Sequence, residues 1–334
     1  MKPFLVDVPV RVQVWNRPDC QKKQLEVLKK ARPSVLFLIS DGGRTEKEQA
    51  LINQSRQIME DIDWECTVHK LYMDQNMGMY GMSVKVRELI WSKVDRCVFL
   101  EDDYVPAVSF FRYCAELLEK YRDDLRVEMI TGFNPFGVYD DALPNDYFFV
   151  ENGWAIWGLA LWKRTVEKTK YPLPYADNQY VKDRLKEGLN PLYYKRVEDY
   201  SNGILSDGHI PGSEYYYAVN TLLYHSVAVV PTKNMICNIG VEGAHAGKSK
   251  IWEKYNGRLF NSRTYELEGE IKHPEYMIAD KHYEKMYDDL LLRGKHSKIK
   301  RLHIKVMRFF ELLFSNQISN KIKSKAEKRK NGEK

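Results

Sequence analysis

The chain lacks the usual means of fixing a small secreted fold. Its five cysteines, Cys20, Cys66, Cys97, Cys114 and Cys237, are scattered through 334 residues with no CxxC pair. That pattern excludes a disulfide framework and a zinc site, and reads as reduced, buried thiols in a cytosolic protein. No long apolar run follows Met1-Lys2-Pro3-Phe4-Leu5-Val6-Asp7 or occurs later, so neither a signal peptide nor a membrane-crossing helix is expected. There is no GxGxxG and no Walker motif, which removes the common dinucleotide and P-loop phosphate cradles. A net basic charge is missing from most of the chain as well. From His296 onward nine Lys and three Arg face three Glu, a net +9, whereas the whole chain carries only +6. The remaining residues therefore sum to −3.

Aromatics are plentiful, with 22 Tyr and 7 Trp. Strand and helix patterns alternate four times in the first hundred residues. Val8 to Val14 alternates apolar and polar residues and runs into Trp15-Asn16-Arg17-Pro18-Asp19. A helix is expected from about Cys20 to Lys30, a buried strand over Val35 to Ile39, a helix from about Lys47 to Asp61 and a strand over Cys66 to Tyr72. After a loop from Asp74 to Gly81, a helix over Val84 to Ser92 and a charged end at Lys93–Arg96 lead to the strand at Cys97. Such alternation predicts a mainly parallel sheet flanked by helices, an α/β fold. Each strand ends in polar or Gly-rich residues, and these ends would form one rim.

The centre of that rim is Cys97-Val98-Phe99-Leu100-Glu101-Asp102-Asp103. An apolar strand runs directly into three carboxylates. Adjacent carboxylates repel, and a positive partner between them relieves the repulsion. Ligands of open α/β sheets bind outside the carboxyl ends of strands, and a hard divalent cation that also holds phosphate oxygens suits this position. Pro106 and Phe110-Phe111 then open an amphipathic helix to Tyr121. Arg17, Asp41 and Arg44 stand at the ends of the first two strands, where guanidinium groups can meet phosphate or base.

The second half is less regular. Strands are expected over Val127 to Ile130, Tyr147 to Val150 and Val227 to Pro231, and a helix from Ser213 to about Leu223. Gly153 to Trp162 is dense in Trp and small residues, including Trp157 and Gly158. It suits either stacking on a sugar ring or an aromatic core. The polar stretch from Tyr171 to Gly212 reads as an excursion on the substrate side, and Asn234 to Gly247 as a Gly-rich loop with His245. In the tail, Ile299, Leu302, Val306, Phe309, Phe310 and Leu313 fall at helical spacing, with Lys298, Lys300, Arg301, Lys305 and Arg308 mostly opposite. A basic amphipathic helix with a lysine-rich end fits an anionic membrane surface, at about 1 kcal/mol per basic residue. The alternative is a helix packed on the body. No nucleic-acid-binding module is recognisable.

Taken together, these segments resemble the GT-A glycosyltransferases. Glu101-Asp102-Asp103 with Pro106 and Phe110-Phe111 resembles their acidic metal motif and the helix after it. Val14 to Asp19, Ile130 to Asn134, Ile156 to Trp162, and Pro231 to Asn234 with Asn238-Ile239-Gly240 resemble, in order, segments of bacterial family-2-like members. The acidic region also resembles the N-acetylglucosaminyltransferase-I-like enzymes, which are inverting and Mn²⁺-dependent and use a UDP-sugar. The resemblance spans about residues 8 to 285.

The resemblance implies a GT-A domain over 1–290, with a nucleotide-sugar-binding half to about 130 and an acceptor-side half beyond it, followed by the basic tail at 296–334. It implies that Asp103 holds Mn²⁺ or Mg²⁺, with His245 beside the metal or diphosphate. Glu101, Asp102, Arg17, Asp41, Arg44, Trp157 and Gly158 would line the nucleotide sugar. The family's catalytic base is an Asp in a Trp-flanked segment, which here reads Ser213-Glu214-Tyr215-Tyr216-Tyr217. Glu214 keeps the carboxylate, one methylene longer and without the Trp residues, and is the candidate base, with Asp207 as the fallback. The expected activity is transfer of a sugar from a nucleotide diphosphate sugar to an acceptor hydroxyl, with inversion, in surface polysaccharide or glycoconjugate assembly. The acceptor would be a lipid-linked or protein-linked glycan, and the site of action the inner face of the cell membrane. The rivals are a sugar-1-phosphate nucleotidyltransferase and a non-catalytic membrane-docked scaffold.

Overall fold

Four valines at every second position, Val8, Val10, Val12 and Val14, are fully buried and turn one face of the first strand into the core. The opposite face of that strand, β1 (Val6–Gln13), carries Arg11 and Gln13. A computed structural model describes residues 1–152, 155–169, 175, 177–189, 191–201, 213–240 and 259–292. From β1 the chain continues through α1 (Pro18–Ala31), β2 (Pro33–Ser40), α2 (Glu46–Met59), β3 (Thr67–Tyr72), α3 (Gly78–Trp91) and β4 (Arg96–Leu100). These four strands lie in the order β3-β2-β1-β4 and pair in parallel throughout. The α/β fold with a mostly parallel central sheet is thus as the alternation requires. Apolar cores cover both faces: Leu25 and Leu28 of α1 pack on the valine face, and Ile90 and Trp91 of α3 on the other.

The other half of the sheet has strands that the sequence pattern did not reveal. After β5 (Tyr104–Pro106), α4 (Ser109–Lys120), β6 (Val127–Thr131) and β7 (Tyr147–Val150) comes β8 (Leu159–Trp162). It lies antiparallel between β4 and β6, with Leu159 opposite both Phe99 and Thr131. Because β8 runs against its neighbours, its first residue reaches the rim where β4 and β6 end. Trp157 and Gly158 therefore arrive beside the acidic triplet. After α5 (Lys163–Lys168), the stretch read as a polar excursion contains α6 (Gln179–Gly188) and α7 (Pro191–Ser201). Next come α8 (Ser213–Leu223) and β9 (Val227–Pro231), with the bounds the sequence indicated, then β10 (Ile236–Asn238) and α9 (Lys281–Leu292). The eight-stranded order is β3-β2-β1-β4-β8-β6-β9-β7.

Three expectations need correction. The short strand-to-helix connection that carries the acids is not a plain loop, because it contains β5, which pairs antiparallel with β10 in a two-stranded ribbon. Helix α3 begins at Gly78 rather than Val84, and it ends at Trp91, so Arg96 opens β4 instead of closing a helix. Of the five thiols, only Cys97 and Cys114 are buried, and Cys20, Cys66 and Cys237 are half-buried; all are free. The basic tail, Asp207 and His245 lie outside the described residues. Among those described, no helix is long and apolar enough to cross a membrane.

Candidate functional site

The site is built from α1 inward. Pro18 at the first helical position fixes the start of α1 and leaves Arg17 at its N-cap. From there the guanidinium reaches the triplet. Its Nη1 lies 2.6 Å from Asp103 Oδ2, 3.3 Å from Asp102 Oδ1 and 3.2 Å from Asp102 Oδ2. One nitrogen thus stands among three oxygens of two adjacent aspartates.

One turn further on, two glutamines hold the backbone of the triplet. Gln21 and Gln24 are fully buried. The Gln24 amide donates to the carbonyls of Glu101 at 2.9 Å and Tyr104 at 2.8 Å. The Gln21 amide donates to Gln24 Oε1 at 2.9 Å and to the Asp102 carbonyl at 3.3 Å. Buried carbonyls need such donors, and here helix side chains supply them to the turn after β4. Nothing in the sequence distinguishes these glutamines from surface ones except their place on the apolar stripe with Leu25 and Leu28.

The opposite wall is the ribbon of β5 and β10. Asn238 pairs with Tyr104, and the next amide, Ile239 N–H, donates to the Asp103 carbonyl at 2.9 Å. Gly240 follows directly over Asp103. A Cβ at Gly240 would stand 2.0 Å from Asp103 Oδ2. Its amide is held at 2.8 Å by the Asn238 side chain. Asn238-Ile239-Gly240 belongs to the segments that carry the resemblance, yet its contact with the acids was not legible in the sequence.

The three acids have unequal surroundings. Asp102 is 9% exposed, and burial pushes its carboxyl up to about 7, with Asp103 and Glu101 adding to the rise and Arg17 opposing it. Asp103 is raised for the same leading cause, burial, and the Glu101 charge adds to it. Glu101 points to the other face of the sheet, where Arg11 Nη1 donates to its Oε1 at 2.7 Å. Asp102 Oδ2 is buried and accepts no hydrogen bond, despite its proximity to Arg17. A buried carboxylate oxygen with an ion-pair contact but no hydrogen bond is an arrangement that a hard cation would relieve. Among the described residues, no group of three or more His, Cys, Asp or Glu could hold a metal. Two carboxylates nevertheless fit the manner in which Mg²⁺-type ions bind, with few protein ligands and substrate phosphates and water completing the shell.

The remaining candidates divide. Asp41, at the end of β2, is 6% exposed and commits both oxygens to the loop after β3. It accepts from Gly42 N and Met77 N at 2.8 Å, Gly78 N at 2.9 Å and Asn76 Nδ2 at 3.2 Å. A carboxylate from another strand therefore caps the N-terminus of α3, which is why that helix starts earlier than its own sequence signals. Arg56 of α2 supports the same rim, donating to the carbonyls of Asp41 at 3.0 Å and Met73 at 2.7 Å. Arg44 is exposed and turned to Glu48, with Nη2 to Oε1 at 2.9 Å, and lies over the Trp15 ring. Its contacts do not include the acids.

Trp157 is half-buried, packed between Phe133 at 4.4 Å, Phe260 at 5.3 Å and Tyr104 at 6.1 Å between ring centroids. Gly158 has φ +64°, and a Cβ there would stand 2.4 Å from Ile236. Gly132 is similarly crowded by Ile236 and Phe110 at 2.6 Å, and its amide donates to the Gly158 carbonyl at 2.7 Å. The Gly-containing segments thus let β6, β8, β10 and α4 meet behind the acids. This packing accounts for the small residues without a ligand. Glu214 falls in the first turn of α8, and its side chain lies outside the described residues.

No protein-family model matches the chain, and no curated protein matches its sequence. Among solved structures, it is similar to apo mouse xyloside xylosyltransferase 1, with 12% identity and a TM-score of 0.39 over 80% of this chain and 96% of that one. It is also similar to 4-diphosphocytidyl-2C-methyl-D-erythritol synthase from Anaerococcus prevotii, with 10% identity and a TM-score of 0.33 over 66% of this chain and 83% of that one.

Proposed function

We propose that the chain is a metal-dependent glycosyltransferase that moves a sugar from a nucleotide diphosphate sugar, a UDP-sugar, to an acceptor hydroxyl. The observation that supports this most is the pair Asp102–Asp103 at the carboxyl end of β4, with Arg17 against both carboxylates. The pair sits at the rim where α/β sheets take ligands, and its chemistry suits a diphosphate bridged by a cation. Mn²⁺ or Mg²⁺ would be held by Asp102 and Asp103, with His245 as a further ligand, and would neutralise charge developing on the leaving diphosphate.

The chain's own groups do the rest. Arg17 offers a planar donor fork to phosphate oxygens. Glu101, held by Arg11 at 2.7 Å, would accept hydrogen bonds from ribose or sugar hydroxyls. Trp157, half-buried beside Tyr104, would flank the donor sugar. Glu214 takes the proton from the acceptor hydroxyl, which attacks the anomeric carbon opposite the departing diphosphate, so the configuration inverts. The basic tail brings the enzyme to an anionic membrane carrying a lipid-linked glycan acceptor.

A panel of UDP-, GDP-, dTDP- and CMP-sugars with Mn²⁺ tests this reading. Binding of one donor with slow release of its free nucleotide diphosphate is the expected result. Pyrophosphate release from a nucleoside triphosphate and a sugar-1-phosphate would replace it with a nucleotidyltransferase. Binding of neither by folded protein would leave the scaffold reading.

A further inference from the structure

Arg17 Nη1 stands within 3.3 Å of three oxygens on Asp102 and Asp103. A cation of the Mg²⁺ type coordinates carboxylate oxygen at about 2.0–2.1 Å. The place it would take between these oxygens is the place Nη1 fills. Two sides of the pair are occupied by other groups: Gly240 lies over Asp103, and the buried Gln21–Gln24 pair lies behind the turn. We infer that Arg17 is an exchangeable internal counter-ion. It neutralises the aspartate pair when no divalent cation is bound, excludes that cation while it does so, and moves onto the donor diphosphate when that anion arrives.

Charge makes the exchange reasonable. Without Arg17 the two adjacent, largely buried carboxylates would lose the cation that stands against both of them. With Arg17 and a divalent cation together, three positive charges would face the two aspartates' two negative ones, an excess of one positive charge before any phosphate was present. A diphosphate removes that conflict by giving the guanidinium a second anionic partner, to which it can bind in bidentate fashion. Cation and donor therefore bind with positive linkage, each favouring the state that the other needs. The identity of the anion rests on the transferase reading. The mutual exclusion of Arg17 and the cation does not.

The test is a Mn²⁺ titration of the full chain, followed by the loss of the free-ion paramagnetic signal, for wild type, Arg17→Gln and the surface control Arg126→Gln. Both variants remove one positive charge, but only Arg17 touches the aspartates. Circular dichroism confirms folding. With Mn²⁺ alone, Arg17→Gln is expected to bind at least about tenfold more tightly than wild type, and Arg126→Gln to match wild type. Adding UDP should raise the Mn²⁺ affinity of wild type more than that of Arg17→Gln. Equal or weaker Mn²⁺ binding by folded Arg17→Gln overturns the inference, as does an equal gain in Arg126→Gln. If Arg17→Gln gains affinity while no nucleotide sugar binds wild type, the transferase reading falls and the exclusion stands. If wild type turns over a nucleotide sugar while Arg17→Gln gains nothing, the exchange falls and the transferase reading stands.

Discussion

Gly240 lies so close over Asp103 that a Cβ there would stand 2.0 Å from its Oδ2. The backbone of the loop after β10 therefore fixes where this carboxylate can be. The Ile239 amide on the Asp103 carbonyl, at 2.9 Å, holds the two segments in register.

Gly240→Ala is predicted to displace the Asp103 carboxylate without unfolding the sheet. Mn²⁺ affinity should fall by about 10- to 100-fold, the range seen when groups that support a metal ligand are removed. Thermal stability should fall only modestly. Titration calorimetry with Mn²⁺ and a melting curve check both.

Gln24→Leu leaves the carbonyls of Glu101 and Tyr104 without their buried donor. Each lost partner costs about 1–3 kcal/mol, so denaturant unfolding should show a loss in that range or above. A substitution as close in size as Gln24→Glu also fails, because a carboxylate cannot donate to a carbonyl when ionised. A loss below half a kcal/mol for Gln24→Leu would remove the glutamine from the account of the turn.

The pH dependence follows from Asp102. Its carboxyl is raised by burial from 3.8 to about 7 in the folded protein. The folded state therefore binds this proton more tightly than the unfolded chain does. The associated stability is complete below about pH 4 and is lost as the pH rises towards and through 7. Melting temperature measured from pH 4 to 8 should show this decline in wild type, and Asp102→Asn should flatten it.

Gly158→Ala discriminates packing from ligand contact. A methyl group there meets Ile236 at 2.4 Å, and the backbone has φ +64°. The expected loss is about 1–3 kcal/mol, partly recovered in a double variant with Ile236→Val. Loss of donor affinity at unchanged stability would instead place the donor against Gly158.

Much of the fold was legible because the first four strands declare themselves locally. Apolar runs end at polar turns, and helices of ordinary amphipathic pattern lie between them. The rim was legible for the same reason: Arg17, Asp102 and Asp103 each stand at a strand end, and the fold brings them together. The remainder depended on distant partners. Helix α3 takes its cap from Asp41, 37 residues before Gly78. Strand β8 is four residues in a Trp-rich segment and exists because β4 and β6 flank it. Gln21 and Gln24 look like helix-surface residues until the turn they hold is in place. Gly240 looks like a loop glycine until Asp103 lies beneath it.

The basic tail gives a separate test. Full-length chain should co-sediment with vesicles containing anionic lipid, and a chain ending at residue 292 should not, with binding weakened as salt is raised.

The most direct test of the central claim is release of UDP from a UDP-sugar by wild type and Asp103→Ala, each with Mn²⁺ and with EDTA. The account predicts turnover in one of the four conditions, wild type with Mn²⁺, and loss of most of it in the other three. Equal turnover in Asp103→Ala, or none by folded wild type with any donor, would contradict it.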